Sequence, residues 1–268
     1  MFNAILEYQF LQYAFVIIIL SSIVCGIMSN LIIEKKMLMI SGGLAHTAYG
    51  GIGLAYFFSF NPTLGALGFT LCCALFIAIL NRKSTIPNDI FIALFWALGM
   101  ALGIIFIGLI PGYTPNIESY LFGNILSVSW EDLISMAVLT VIIGLSLVLF
   151  YKDWQLFLFD EDFARLQGLA VNFYHYFLYL LVTLSIILLI RVAGIILVLA
   201  LLSAPAASAS LCSKSFTGRL LLSILLSFIF SFCGLWLSYH LNVSSGASIV
   251  VFAFCIYSLL LLRKKLMG

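Results

Sequence analysis

The chain has 268 residues, of which 64% are hydrophobic and 8% charged, and its mean hydropathy is +1.24. A soluble globular domain carries about 45–50% apolar and about 25% charged residues, so a water-soluble enzyme is excluded; so is a disordered chain, which needs low hydrophobicity and high charge. Twelve Lys and Arg against ten Asp and Glu leave a formal charge of +2, too little for a nucleic-acid-binding surface, and most of the chain belongs in lipid.

The first sixteen residues mix Phe, Leu and Tyr with Glu7 and Gln9 and lack the basic start and small-residue cleavage site of a signal peptide. They read as an interfacial segment (1–16) leading into the first span. Crossing the hydrocarbon core takes about 20 apolar residues. Such stretches recur at 11–33, 37–59, 62–80, 89–110, 133–151, 173–190, 195–211, 219–239 and 247–262. The breaks are short: Glu34-Lys35-Lys36, Asn61-Pro62 and 81–87. The longest connections are 112–132 and 152–172. The stretch 173–211 is too long for one helix, since about 39 residues at about 1.5 Å each would reach nearly 60 Å. A tight hairpin at Arg191-Val192-Ala193-Gly194, or a re-entrant segment at 195–211, resolves it, and eight or nine spans are predicted within a single membrane domain, 1–268.

The basic residues orient these spans. With Lys35 and Lys36 in the cytoplasm, Arg82, Lys83, Lys152, Arg165, Lys214, Arg219, Arg263, Lys264 and Lys265 fall on the same side and only Arg191 opposite, as the positive-inside rule requires. Arg191 there snorkels or satisfies the hairpin. The six cysteines lie in apolar stretches without a C-x-x-C pair, which reads as core packing rather than a disulfide framework. Gly99 and Gly103 form a small-x-x-x-small pair suited to close helix approach.

Polar groups are few. No Gly-Lys dipeptide occurs, so a phosphate-binding Walker loop is absent, as are H-E-x-x-H and G-x-S-x-G. The densest unusual stretch is 41–53, with five glycines around His46. Glycine disfavours a regular helix, and irregular backbone inside a membrane survives only where protein or a water-filled cavity covers it. An intramembrane histidine is a functional candidate, and neutral imidazole suits zinc, iron and similar cations. Ser41, Thr47, Tyr49 or carbonyls freed by the glycines are local co-donors. His240 stands at the outer end of a span beside Asn242, Ser244 and Ser245. His175, after Tyr174, reads as an interfacial anchor, and Asp89 as a helix N-cap. Pro205 breaks a helix within a run of small residues, Ser203 to Ser210. The acidic connection 159–168 reads as a solvated loop or a docking surface.

Taken in order, these motifs resemble the permease subunits of bacterial zinc, manganese and iron ABC importers, the ABC-3 family, along roughly 10–262. The motifs are Ser41–Gly51; Asp89-Ile90-Phe91-Ile92-Ala93; Leu121–Leu126 with Ser129-Trp130-Glu131-Asp132; Phe159–Gly168; and Gly194–Val198 through Pro205-Ala206-Ala207, with Ser245-Gly246-Ala247. The resemblance implies an all-α, polytopic, type II importer-like fold in a bacterial plasma membrane. It also implies a homodimeric or paired permease, a cytoplasmic ABC ATPase subunit and an extracytoplasmic metal-binding protein. A divalent metal would be transported as substrate, with no permanent cofactor, no enzymatic activity in this chain and no nucleic-acid partner. His46, Asp89, Thr47, Tyr49 and His240 would line the metal path. The coupling region would fall within 204–218, with Pro205, Ala206, Ser210, Ser213 and Lys214 facing the ATPase. Two positions depart from the family pattern: Gly42 stands where an aspartate precedes the histidine by four residues, and Asn242 and Ser244 replace an aspartate and a proline near the outer end. A metal chelate, another small nutrient, or secondary transport are the alternative readings.

Overall fold

The computed structural model describes residues 7–83, 88–111, 123, 125–241 and 243–267. Every regular element among them is helical: α1 (Gln9–Glu34), α2 (Leu38–Phe57), α3 (Pro62–Lys83), α4 (Asn88–Gly108), a 3-10 turn (Ile125–Ser127), α5 (Trp130–Leu149), α6 (Tyr151–Phe159), α7 (Glu161–Leu166), α8 (Val171–Leu201), α9 (Ala204–Cys212), α10 (Phe216–Leu241) and α11 (Ser245–Met267). Seven described stretches are long and apolar enough to cross a membrane: α1, α3, α4, α5, α8 continued through α9, α10 and α11. α2 has 20 residues, about 30 Å of helix, which is also spanning length; its His46, Thr47, Ser41 and glycines make it less apolar than the rest.

The spans begin and end close to the predicted limits, while the structure adds local detail that the sequence pattern did not carry. Helix α1 runs unbroken from Gln9, so 9–16 lead into the first span as one helix; residues 1–6 lie outside the described ones. The segment 171–201 is helical on both sides of Gly194, whose φ of 78° and ψ of 161° interrupt it within the break expected at 191–194. Pro205 then sits in the first turn of α9, where its missing N–H costs no helical bond. The connection 152–172 folds into α6 and α7, because side chains three and four residues apart find a core. Trp154, Phe157 and Leu158 are buried, with Trp154 ring-stacked against Phe177 and edge-on to Tyr174, and its indole N–H donates to Ser146 Oγ at 3.1 Å. Asp160 caps α7 by accepting from the Phe163 N–H at 2.9 Å.

The chain forms two compact units. The first comprises Met1–Lys35, Glu118–Leu145 and Leu188–Gly268. In it α10 packs along α1 and α11, and α9 packs on all three. A Cβ on Gly26 would fall 2.5 Å from Ile224 Cα, and one on Gly234 2.5 Å from Ile249 Cα, so both approaches require glycine. Ser129 and Asp132 form a reciprocal capping box at the start of α5: Ser129 N–H donates to the Asp132 carboxylate at 3.0 Å and Asp132 N–H to Ser129 Oγ at 3.2 Å. The other carboxylate oxygen of Asp132 pairs with Arg191 at 3.1 Å, so Arg191 is held by an acid rather than snorkelling. Gly123, at φ 62°, lies directly on the Ala193–Gly194 peptide.

The second unit comprises Lys36–Ile117 and Ser146–Ile187. α2 packs on α3 and α4. At the far end of α3, Arg82 pairs with Glu161 at 3.7 Å and Asn81 donates to Tyr179 Oη at 2.9 Å. His175 is buried there, with Nε2 3.2 Å from the Ala78 carbonyl oxygen; it ties helices together instead of anchoring an interface, because its position on α8 faces α3.

Candidate functional site

The five glycines around His46 leave the helix regular. None has positive φ, and α2 is α-helical throughout, contrary to the irregular segment expected. Their role is packing. A Cβ on Gly51 would meet the Gly65 carbonyl oxygen at 2.3 Å, one on Gly50 the Gly99 oxygen at 2.8 Å, and one on Gly53 the Gly103 oxygen at 2.6 Å. Glycine costs a helix about 1 kcal/mol relative to alanine, and backbone-to-backbone approach on two sides offsets it. The α2 carbonyls therefore stay in the helix and are not freed as donors.

This packing encloses α2 except along one stripe. Ser41, Gly42, Thr47 and most of their neighbours are buried, whereas His46, Tyr49 and Tyr56 stay half-open. The residues are three to four apart, or seven, so they share a helix face. His46 stacks flat on Trp96 of α4, ring centroids 4.4 Å apart and planes 11° from parallel. The indole holds the imidazole by its face, and neither ring nitrogen of His46 is engaged by another described residue. Both remain free to meet a ligand. Tyr49 lies against Gly103.

Thr47 faces the other way. It is fully buried, and its hydroxyl donates to the Gly43 carbonyl at 2.7 Å, with the Phe95 carbonyl at 3.3 Å. Ser41 likewise donates to Leu38 at 2.8 Å. Asp89 is exposed in the first turn of α4, where its charge complements the helix N-terminus. Gly43 opposes Ile92 and Gly53 opposes Gly103, so α2 and α4 run parallel. Trp96 is seven residues after Asp89, on the same face and about 10 Å further along. Asp89 and His46 thus lie on one side of the pair, too far apart for one cation with bonds of about 2 Å. No cluster of three or more His, Cys, Asp and Glu side chains suited to a metal occurs among the described residues.

His240 is exposed near the end of α10, its ring 4.6 Å from Trp236 and edge-on to it; Asn242 lies outside the described residues, as do Leu121, Phe122 and Asn124 of the third motif. In α9, Pro205 and Ala206 are buried and are not surface contacts. Ser210 and Lys214 are exposed and Ser213 half-exposed, so the end of α9 and the turn after it form the accessible part. Sequence reading did not single out Trp96, although its seven-residue spacing from Asp89 carried the signal.

The family model described as ABC 3 transport family matches residues 7–264. An uncharacterized membrane protein of Synechocystis sp. is 40% identical over 94% of this chain and 90% of its own length. The manganese transport system membrane protein MntC of Listeria monocytogenes is 36% identical over 95% of this chain and 91% of its own. Among solved structures, PsaBC from Streptococcus pneumoniae in complex with Fab superposes with a TM-score of 0.85 at 32% identity, covering 97% of this chain and 93% of the other. Family match, length of overlap and fold agree: this multi-pass membrane chain belongs to the ABC 3 transport family.

Proposed function

We propose that the chain is the membrane-embedded subunit of an ATP-driven importer for divalent metal ions, and that manganese is the first cargo to test. The observation that carries this reading is His46: a ligand-capable imidazole with both nitrogens free, presented on the one open stripe of an otherwise enclosed helix. The name of the Listeria relative supports manganese. His46, Tyr49, Asp89 and His240 are the path candidates, with Thr47 acting through the α2–α4 packing. The two compact units form one permease domain, and the ends bearing Lys35, Arg82 and Arg219 face the cytoplasm. There the exposed Ser210 and Lys214 and the half-exposed Ser213 meet a separate ATPase, while Pro205 and Ala206 set the angle of α9. An extracytoplasmic binding protein delivers the metal on the other side, and two copies frame the path.

One observation favours a second cargo class. With Gly42 in place of a carboxylate, a metal chelate that brings its own ligands needs fewer protein donors. Cellular manganese, zinc and iron, measured with and without the gene in metal-poor medium, separate the readings. Loss of manganese on deletion supports metal import; unchanged content of all three metals sinks it.

A further inference from the structure

Among the described residues, five buried side-chain polar atoms find no hydrogen-bond partner, and four of them belong to α9 and α10: Ser208 Oγ, Arg219 Nε, Ser227 Oγ and Ser231 Oγ. The fifth, Thr70 Oγ1, is on α3. Ser208 and Ser227 are 0% exposed and Ser231 2%. Ser223, one turn before Ser227, is equally buried but donates to the Arg219 carbonyl at 2.7 Å. Burial on α10 therefore does not by itself leave a hydroxyl unpaired.

The four atoms share one seam of the first compact unit. α1 and α10 run antiparallel, with Phe15 against Phe228 and Phe232, Gly26 against Ile224 and Glu34 paired with Arg219. At about 100° per residue, Ser227 and Ser231 stand about 60° and about 20° from Ile224 around α10. Both are turned towards Gly234, which meets Ile249 of α11. The same count puts Ser22 and Ser29 about 40° and about 60° from Gly26 around α1, and in an antiparallel pair that rotation leads to the same side. α9 packs on α1, α10 and α11 and brings Ser208. Ser22 and Ser29 are buried and donate to the Ile18 and Gly26 carbonyls at 2.6 and 3.2 Å, and a hydroxyl that donates still has lone pairs with which to accept.

The seam thus offers donors and acceptors together. The Arg219 charge opposes a cation there, and the Glu34 carboxylate paired with it opposes an anion. Water carries no charge, donates and accepts, and when buried makes about three hydrogen bonds to groups that otherwise have none. We propose that the seam between α1, α9, α10 and α11 is a hydration site, in which ordered waters bridge Ser208, Ser227, Ser231 and Arg219 Nε to the hydroxyls of Ser22 and Ser29. Serines in place of larger side chains give the waters their room. Lipid cannot supply these bonds, so the waters are part of the folded helix cluster, whatever the cargo.

The test uses the full chain in detergent. X-ray radiolysis in heavy-oxygen water oxidises side chains beside ordered waters. Cys25, next to Gly26 and 0% exposed, should take up heavy oxygen, and several-fold less of it in Ser227→Ala with Ser231→Ala. Met136 of α5, 1% exposed, should be unaffected by the substitutions. The double variant should also lower the thermal transition by about 2–4 °C, because the waters lose their partners; Ser208→Ala, on the short α9, is read in the same way. If the hydroxyls stand dry or turn back onto carbonyls of their own helices, the alanine variants keep or raise the transition, and that result overturns the site. So does a Cys25 that stays unlabelled in the unmutated chain. A transition raised by sodium or by chloride at constant ionic strength makes the occupant an ion and overturns water.

Discussion

The half-open imidazole of His46 is held by aromatic stacking rather than by a hydrogen bond. A stacked histidine keeps its orientation while leaving both nitrogens for a passing ligand, which suits a conduit that must release what it binds. His46→Ala is expected to abolish metal uptake with the thermal transition in detergent nearly unchanged, because the side chain is half-open and makes no buried polar bond. Normal uptake by that variant would assign His46 to helix packing alone. Trp96→Ala removes the stacking surface, worth about 0.5–1.5 kcal/mol for an aromatic pair, and should reduce uptake several-fold while preserving cargo preference. Gly42 precedes His46 by one helical turn and is buried. Gly42→Asp places a carboxylate on the same side of α2, and carboxylate oxygens suit manganese. Retention of manganese by the purified variant should therefore rise, as measured by equilibrium binding; no change would mean that position 42 faces packing only.

Among the elements, α2 shows where sequence reading succeeded and where it stopped. The limits of the spans were legible because apolar runs interrupted by Lys, Arg, Asn and Pro mark helix ends in lipid. The glycine-rich run was legible as unusual but not as regular, since five glycines lower helix propensity equally whether the backbone bends or packs. What decides is a partner: Gly65 of α3 and Gly99 and Gly103 of α4 stand opposite, and the Gly99–Gly103 spacing was the readable half of that contact. The pairs Asp132–Arg191 and Glu34–Arg219 were not legible, because each links residues far apart in the chain and no local pattern announces it. The amphipathic α6 was passed over because its lysine, aspartate and glutamine look like a connection until Trp154 and Phe157 are seen buried. The packing argument predicts opposite signs for two glycines of α3. Gly65→Ala pushes a methyl to within 2.4 Å of the Gly51 carbonyl oxygen and should destabilise by about 1–3 kcal/mol. Gly68→Ala meets nothing within 4 Å and should be neutral or stabilising by about 0.5–1 kcal/mol. Thermal unfolding of the two variants in one detergent checks both; equal shifts would remove close approach as the reason for the glycines.

For the whole molecule, the role proposed for His46 raises the question of how one imidazole would serve a divalent cation. Zinc sites take four ligands and manganese prefers oxygen donors in an octahedral set, yet no cluster of three His, Cys, Asp and Glu side chains forms among the described residues, and Asp89 stands about 10 Å from His46 along the helices. On the proposed reading, water and cargo-borne ligands would supply part of the shell, and a second copy of the chain would supply the rest if the two open stripes of α2 face each other. That arrangement also explains why the stripe, with its polar ring atoms, stays open while the remainder of α2 is enclosed on its other sides: a polar strip left against lipid would be costly. The expected outcome is specific. In a variant whose six cysteines, Cys25, Cys72, Cys73, Cys212, Cys233 and Cys255, are replaced by serine or alanine, a single Cys introduced at Tyr49 or Tyr56 should form a disulfide-linked dimer under mild oxidation. Disulfide geometry demands Cα separations below about 7 Å, so a mercury or short bismaleimide bridge is the parallel probe for a wider gap. Added manganese should slow the reaction at Tyr49, nearer His46, more than at Tyr56. Cysteines placed instead at lipid-facing Leu94 or Val148, both largely exposed, should stay monomeric. Dimers from those outer positions with none from Tyr49 or Tyr56 would mean that the α2 stripes do not meet, and that the cation shell is completed within one chain.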